Sequence, residues 1–389
     1  MNQLYDCIVV GGGPAGATVA YHLAKKNRKV IILEKNRFPR YKPCAGGLTP
    51  KAFNLLDFSI SELIEFESRN VVISFNHKMY RKICGAASVT IMVKRDKFDH
   101  YFLCKAQESG SGLIEGVKIT DIEFENQTFC VKTPKGIFKS FYLVGADGAN
   151  SFVNNRFKIV NKNPRGFAVE INYPMKKEDI AKYEQTFEFG LFPDGYLWIF
   201  PKSDQLSIGA YSSKPKMKTL KKHLLDYLKY LGFSDYNKFK MRGHIIPFYG
   251  INYIQPNFPC ILVGDAAGFS DYLTGEGIFY AMKSGIIAAD IVNKSIDKGN
   301  FFYRNLQRKY NKEIIRGLKL GCRFGKSFYE RLPRSLNFIS REWLLKISLL
   351  AAYKGITYDR LLPKIPYLFL KSLTLDLKIK NLESLFDGD

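Results

Sequence analysis

Apolar and polar positions change period several times along the chain, and each change marks an element. Tyr5 to Val10 is a short, mostly apolar run and predicts a buried strand. From Pro14 to Lys26 the period becomes helical, with Ala15, Ala17, Val19, Ala20 and Leu23 forming a face of small residues. Lys29 to Glu34 reads as a second buried strand, which completes a βαβ opening of about 30 residues. Residues 36–50 read as loop, broken by Pro39, Pro43, Gly46, Gly47 and Pro50. Residues 68–93 and 113–144 alternate and predict strands, the last running from Tyr142 into the turn Gly145-Ala146-Asp147-Gly148. An antiparallel sheet is expected over 166–212, from the runs Phe167 to Ile171, Gln185 to Phe189, Tyr196 to Phe200 and Leu206 to Tyr211. Pro259 to Val263 predicts a buried strand, Gly277 to Val292 a helix, and the chain from Phe301 onward is mostly helical and basic.

A chain of 389 residues is too long for one simple core. The expectation is an α/β domain from residues 1–160 and 245–300, an inserted antiparallel-sheet domain at 161–244, and a basic helical C-terminal region at 301–389. Hydrophobic residues make up 46%, enough for a large core and against disorder. The seven cysteines are odd in number and scattered, with no CxxC pair or Cys/His cluster. That argues against a disulfide framework or a metal site and fits a reducing cytoplasm. No signal peptide is expected, since strand-like residues begin at Tyr5. The stretch Trp343 to Tyr353 contains Lys346 and falls short of the ~20 residues a spanning helix needs.

Net charge is +23, and residues 301–389 carry 18 Lys/Arg against 8 Asp/Glu. The surplus reflects either a Lys-rich composition or attraction to phosphates. Interleaving with Trp343, Leu344, Leu361, Leu362, Tyr367 and Phe369 favours a membrane surface over nucleic acid, hence a peripheral place on the inner membrane face.

Two glycine-rich stretches carry the candidate chemistry. In Gly11-Gly12-Gly13-Pro14-Ala15-Gly16, Gly11 allows a tight turn, Gly13 lets backbone approach a pyrophosphate, and Gly16 permits close packing of helix on strand. Exposed amides and the helix dipole there favour phosphate. Glu34, ending the second strand, can accept hydrogen bonds from ribose hydroxyls and would repel a 2′-phosphate. The second stretch is Gly264-Asp265-Ala266-Ala267-Gly268, followed by Gly275-Glu276-Gly277. Asp265 can accept from a ribityl hydroxyl, and Gly275 and Gly277 would let backbone approach a flavin ring. The pair, in this order, points to an extended FAD. Asp147-Gly148 is a third acidic turn, equally readable as cofactor contact or plain turn.

These residues resemble the geranylgeranyl reductase family of FAD-dependent prenyl reductases, within the wider group that includes aromatic-ring hydroxylases. The match rests on GGGPAG at 11–16, Lys42-Pro43-Cys44-Ala45-Gly46-Gly47, Pro193-Asp194-Gly195-Tyr196-Leu197-Trp198-Ile199-Phe200-Pro201, and GDAAGFSDYLTGEGI at 264–278. Val93 to Asp99, with Arg95, resembles a further shared segment. Tyr272 stands where relatives usually have proline. The resemblance implies FAD contacts from Pro14, Ala15, Cys44, Ala45, Gly47, Arg95, Asp147 and Ile278. Cys44 is expected to position the flavin through its backbone or to offer a proton as a catalytic thiol.

Tyr196, Trp198 and Phe200 alternate and so share one strand face, which Phe187 and Phe189 extend. Such a face suits a prenyl chain and equally suits an ordinary sheet core. The resemblance implies reduction of carbon–carbon double bonds in a geranylgeranyl or polyprenyl group on a lipid, diphosphate or quinone, with NADPH or reduced ferredoxin as donor. Two alternatives remain open: a monooxygenase or halogenase of the same fold, and a non-enzymatic flavin-containing lipid-binding protein.

Overall fold

The structure is a computed structural model, which describes residues 3–84, 88–160, 164–214, 217–233, 235–248, 253–298, 305–339, 341, 344 and 356–365. Tyr367, Phe369 and all of Trp343 to Tyr353 except Leu344 lie outside the described residues. Contacts divide the chain into two compact units: Met1–Lys42, Lys94–Arg165 and Ile245–Lys319 form one, and Pro43–Val93, Gly166–His244 and Leu320–Asp389 form the other.

The first unit is built on a mixed sheet. Its parallel strands run in the order Gly112–Ile114, Val30–Leu33, Leu4–Val10, Gly136–Gly145. The long strand Gly136–Gly145 then serves two partners. Its first half pairs antiparallel with Thr128–Thr133, and its last residues pair in parallel with Cys260–Leu262. Strands covered on both faces must be apolar throughout, and Cys7, Ile8, Val9, Ile32, Leu143, Val144, Ile261 and Leu262 are all fully buried. The helix Pro14–Ala24 starts with Pro14 in its first turn, where a missing amide hydrogen costs nothing. Its small-residue face lets the helix Ile278–Lys298 come close: a Cβ on Gly285 would lie 2.8 Å from the Ala15 carbonyl oxygen.

The second unit holds a seven-stranded sheet in the order Arg242–Pro247, Arg165–Pro174, Gln205–Ser212, Gly195–Pro201, Gln185–Phe189, Asn70–Phe75, Lys78–Cys84. Alternation gives it two chemically different faces. Val169, Ile171, Leu197, Ile199, Ile208 and Ala210 form an aliphatic face that packs on Leu220, Leu224 and Leu228 of the helix Met217–Tyr230. The residues in between, Tyr196, Trp198 and Phe200, face the other way.

Among the described residues the expected elements are present, with helices Arg95–Glu108 and Met217–Tyr230 in addition. The division into units differs from the expected boundaries. Pro43–Val93 groups with the inserted sheet because Asn70–Phe75 pairs in parallel with Gln185–Phe189. The start of the tail groups with the first unit, where the Tyr310 hydroxyl donates to the Leu262 carbonyl at 3.0 Å. The chain continues helical through Arg316–Glu330 and Leu332–Ile339.

Candidate functional site

Four turns leave the carboxyl ends of the neighbouring parallel strands of the first unit, the edge where open α/β sheets bind ligands. They begin at Gly11, Glu34, Ala146 and Val263. The three motif glycines do different work. Gly11 has φ +101°, and a Cβ there would sit 2.5 Å from the Ala146 carbonyl oxygen. A Cβ on Gly16 would sit 2.0 Å from the Gly11 carbonyl oxygen. Gly13 meets nothing nearer than Arg40 Nη2 at 3.7 Å. Gly11 and Gly16 therefore satisfy the protein's own packing, whereas Gly13 borders an opening that a side chain would fill.

Glu34 is buried at the end of its strand. Its Oε2 accepts the Gly12 amide at 2.6 Å and its Oε1 the Asn36 amide at 2.8 Å. The carboxylate thus shapes the glycine turn, a task the sequence did not announce. Each oxygen keeps a second lone pair for a ribose hydroxyl.

Arg40 is a residue that sequence reasoning missed. Its Nη1 lies 3.1 Å from Asp99 Oδ2, and its guanidinium stacks on Phe38 at 4.5 Å. Asp99 is fully buried and also takes a bidentate pair from Arg95, with Nε and Nη2 each at 2.8 Å. Two guanidinium groups on one carboxylate leave a net positive charge beside the Gly13 opening, suited to a pyrophosphate. Much of Arg95's donor fork, predicted to approach the flavin, is spent on Asp99. Replacing Arg40 with Ala is expected to weaken FAD binding about 10- to 100-fold, the range for a hydrogen bond to a charged group. Titration of apoprotein by flavin fluorescence measures this, and a loss below about twofold would exclude Arg40 from the site.

Asp147 holds the start of the helix that follows its turn. Its Oδ2 accepts the amides of Phe152 at 2.6 Å and Val153 at 3.2 Å, at the start of the helix Phe152–Phe157. Its Oδ1 is buried, with no hydrogen bond among the described residues. Burial pushes this carboxyl up from its ordinary value, opposed by the Ser151 hydroxyl and the helix amides.

Asp265 lies in the tight turn Gly264–Ala267, 3.7 Å from Lys42 Nζ and 3.4 Å from the Ser270 hydroxyl. A Cβ on Gly277 would approach Ser270 Oγ at 3.3 Å and Asp265 Oδ1 at 3.6 Å. Asp271 shapes the loop between them: its Oδ1 accepts the Leu273 amide at 3.1 Å, and the Thr274 amide and hydroxyl at 2.8 Å each. An Asp two residues before the amide it binds is an Asx turn, a signal readable in the sequence. Tyr272 packs its ring on Phe248 at 5.0 Å. The helix Ile278–Lys298 follows directly, with the positive end of its dipole at Ile278.

Gly275, at φ +69°, lies in this same loop, and Cys44, Ala45, Gly47, Tyr196, Trp198 and Phe200 belong to the second unit. The Cys44 amide donates to Glu170 Oε1 at 3.0 Å. Gly46, at φ +78°, receives the Val93 amide at 2.9 Å, and a Cβ on it would lie 2.1 Å from the Val93 carbonyl oxygen. A Cβ on Gly47 would lie 3.0 Å from Phe200 Cε2. Tyr196, Trp198 and Phe200 form a continuous aromatic face with Phe187 and Phe189, whose rings sit 5.3 and 5.6 Å from Tyr196. The Trp198 indole lies over Gly209, where a Cβ would come within 2.2 Å of Cζ2. Its Nε1 donates to Ser207 Oγ at 3.1 Å.

The opening at Gly13, the positive charge of Arg40 and the buried Asp147 Oδ1 fit a bound dinucleotide. Residues 6–47 match the family described as FAD dependent oxidoreductase. An uncharacterized protein of Methanosarcina barkeri is 48% identical over 96% of both chains. Digeranylgeranylglycerophospholipid reductase 2 of Methanothermobacter thermautotrophicus is 26% identical over 90% of this chain and 96% of its own. Among solved structures, a geranylgeranyl bacteriochlorophyll reductase-like protein of Thermoplasma acidophilum superposes with TM-score 0.77 at 22% identity, covering 94% of this chain and 99% of its own.

The fold is that of an FAD-dependent oxidoreductase. The chain belongs to the geranylgeranyl reductase-like branch of that family. Among the described residues no helix is long and apolar enough to cross a membrane.

Proposed function

We propose that this protein saturates carbon–carbon double bonds of a geranylgeranyl or longer polyprenyl group carried by a lipid, a diphosphate or a quinone. The observation that supports this best is the relationship to a digeranylgeranylglycerophospholipid reductase along 90% of the chain. Reduced FAD, when bound, supplies the hydride. We assign the pyrophosphate to the Gly11–Gly16 turn and Arg40, the adenosine ribose to Glu34, and the ribityl side and ring to Asp265, Gly275, Gly277 and Ile278. By resemblance, Pro14, Ala15, Cys44, Ala45, Gly47, Arg95 and Asp147 complete the cofactor set. Tyr196, Trp198 and Phe200 bind the prenyl chain, whose affinity grows at ~25 cal/mol per Å² of apolar surface buried. They also keep water from the reacting alkene. The second alkene carbon takes a proton from the Cys44 thiol or from water. NADPH or reduced ferredoxin provides the electrons, and the basic surface docks on anionic headgroups.

Anaerobically reduced holoprotein incubated with geranylgeranyl lipids and diphosphates should yield products heavier by whole hydrogen pairs. No mass gain with any prenyl substrate would overturn the reading. Rapid oxygen consumption with an aromatic substrate would replace it with the monooxygenase or halogenase chemistry of the same fold.

A further inference from the structure

The aromatic face of the second unit contains one feature that a grease-binding wall does not need. Glu170, on the strand Arg165–Pro174, is only 2% exposed and stands on that face. Its register partner Gly209 is also the partner of Trp198, so Glu170 and Trp198 flank the same bare position. Three hydrogen bonds pass through this spot. The Cys44 amide donates to Glu170 Oε1 at 3.0 Å. The Ser207 hydroxyl donates to Glu170 Oε2 at 3.3 Å. The Trp198 indole donates to the same hydroxyl at 3.1 Å. Ser207 donates and accepts at once, so the links polarise one another in series.

A buried carboxyl inside a sheet is costly unless its oxygens are satisfied. Here that requirement fastens the loop Pro43–Gly47, 126 residues away, to the wall that carries Trp198. Backbone pairing also holds the loop, at Gly46 and Gly47 against Val93 and Met92. Glu170 thus ties its side chain to the Cys44 peptide.

We propose that Glu170 is a positioning residue: it clamps the Cys44 peptide to the aromatic sheet and, through Ser207, sets the rotation of the Trp198 indole. The clamp stands on the second unit's own geometry, and its effect on turnover rests on the prenyl-reductase reading. The chemistry separates clamping from proton donation. Gln at this position keeps an oxygen for the Cys44 amide and presents an NH2 to Ser207, which can still accept from Trp198. Ala keeps neither link.

The test is peptide-resolved alkylation of cysteines in the purified full chain, with exposed Cys84 as internal reference. In Glu170→Ala, Cys44 should be alkylated about tenfold faster, as expected for losing one hydrogen bond that restrains a loop. In Glu170→Gln the rate should stay within about twofold of wild type. In holoenzyme with a prenyl substrate, kcat should follow the same order, Ala falling about tenfold and Gln rescuing it. Unchanged Cys44 alkylation in a folded Ala variant overturns the clamp, and so does a Gln variant as loose as Ala. A Gln variant that holds Cys44 tightly but shows no turnover would make Glu170 a proton donor and overturn the positioning role. Should the Ala variant fail to fold, hydrogen exchange on wild type decides: the Cys44 amide should be protected, and exchange at the open-chain rate overturns the proposal. Inactivity of wild type toward every prenyl substrate would defeat the functional reading while leaving the alkylation result standing.

Discussion

Gly16→Ala should yield a colourless, poorly stable protein, whereas Gly13→Ala should yield a colourless protein of normal stability. The two glycines stand three residues apart in one motif but meet different surroundings. A Cβ on Gly16 would fall 2.0 Å from the Gly11 carbonyl oxygen and 3.1 Å from Ala146 Cβ. Backbone cannot yield at that distance, so the helix Pro14–Ala24 must lift from the strand it packs on. Overpacking of this kind costs about 3 kcal/mol or more when the obstacle is main chain. At Gly13 the nearest atom is the end of the Arg40 side chain at 3.7 Å, so the fold tolerates the methyl group. What the methyl group fills is the opening assigned to the pyrophosphate. Flavin absorbance per protein and urea unfolding midpoints read the two effects separately. A Gly13→Ala protein that retains full flavin would remove the pyrophosphate from this turn.

The second large effect concerns pH. Glu188, on the aliphatic face of the second sheet, is 3% exposed and accepts the His77 amide at 3.0 Å. Burial pushes its carboxyl from 4.5 up to about 7, against the lowering effect of that amide. Burial and Glu188 also push up the neighbouring Tyr227 hydroxyl, and the His77 ring centre lies 3.9 Å from that of Tyr230. The folded state therefore holds this proton more tightly than the unfolded chain does. Between pH 4.5 and about 7 the unfolded chain releases it first, so stability falls as pH rises through that window and levels off above it. The full loss is about 3 kcal/mol. Glu188→Gln should match wild type near pH 5 and exceed it by about this amount near pH 8, in paired urea unfolding curves. Equal midpoints of variant and wild type at both pH values would show that Glu188 is not buried as a proton-binding group.

The sequence by itself determined the βαβ opening, the acidic strand ends and the antiparallel insertion. The reason is local: strands buried on both faces read as apolar runs, half-buried ones alternate, and a tight turn demands glycine at fixed spacing. It also determined that Tyr196, Trp198 and Phe200 share one face, because a strand has period two. The tertiary structure alone decided which charges meet. Asp99 receives both Arg95, one helical turn away, and Arg40 from a distant loop. Glu170 captures an amide 126 residues earlier, and Asn70–Phe75 with its neighbour Lys78–Cys84 joins a sheet whose other strands begin beyond residue 164. No periodicity encodes such pairings, since each depends on two remote segments folding to the same place. The sequence likewise showed that Gly13 and Gly16 were glycines, but only the packed neighbours revealed that one makes room for the protein and the other leaves room for something else.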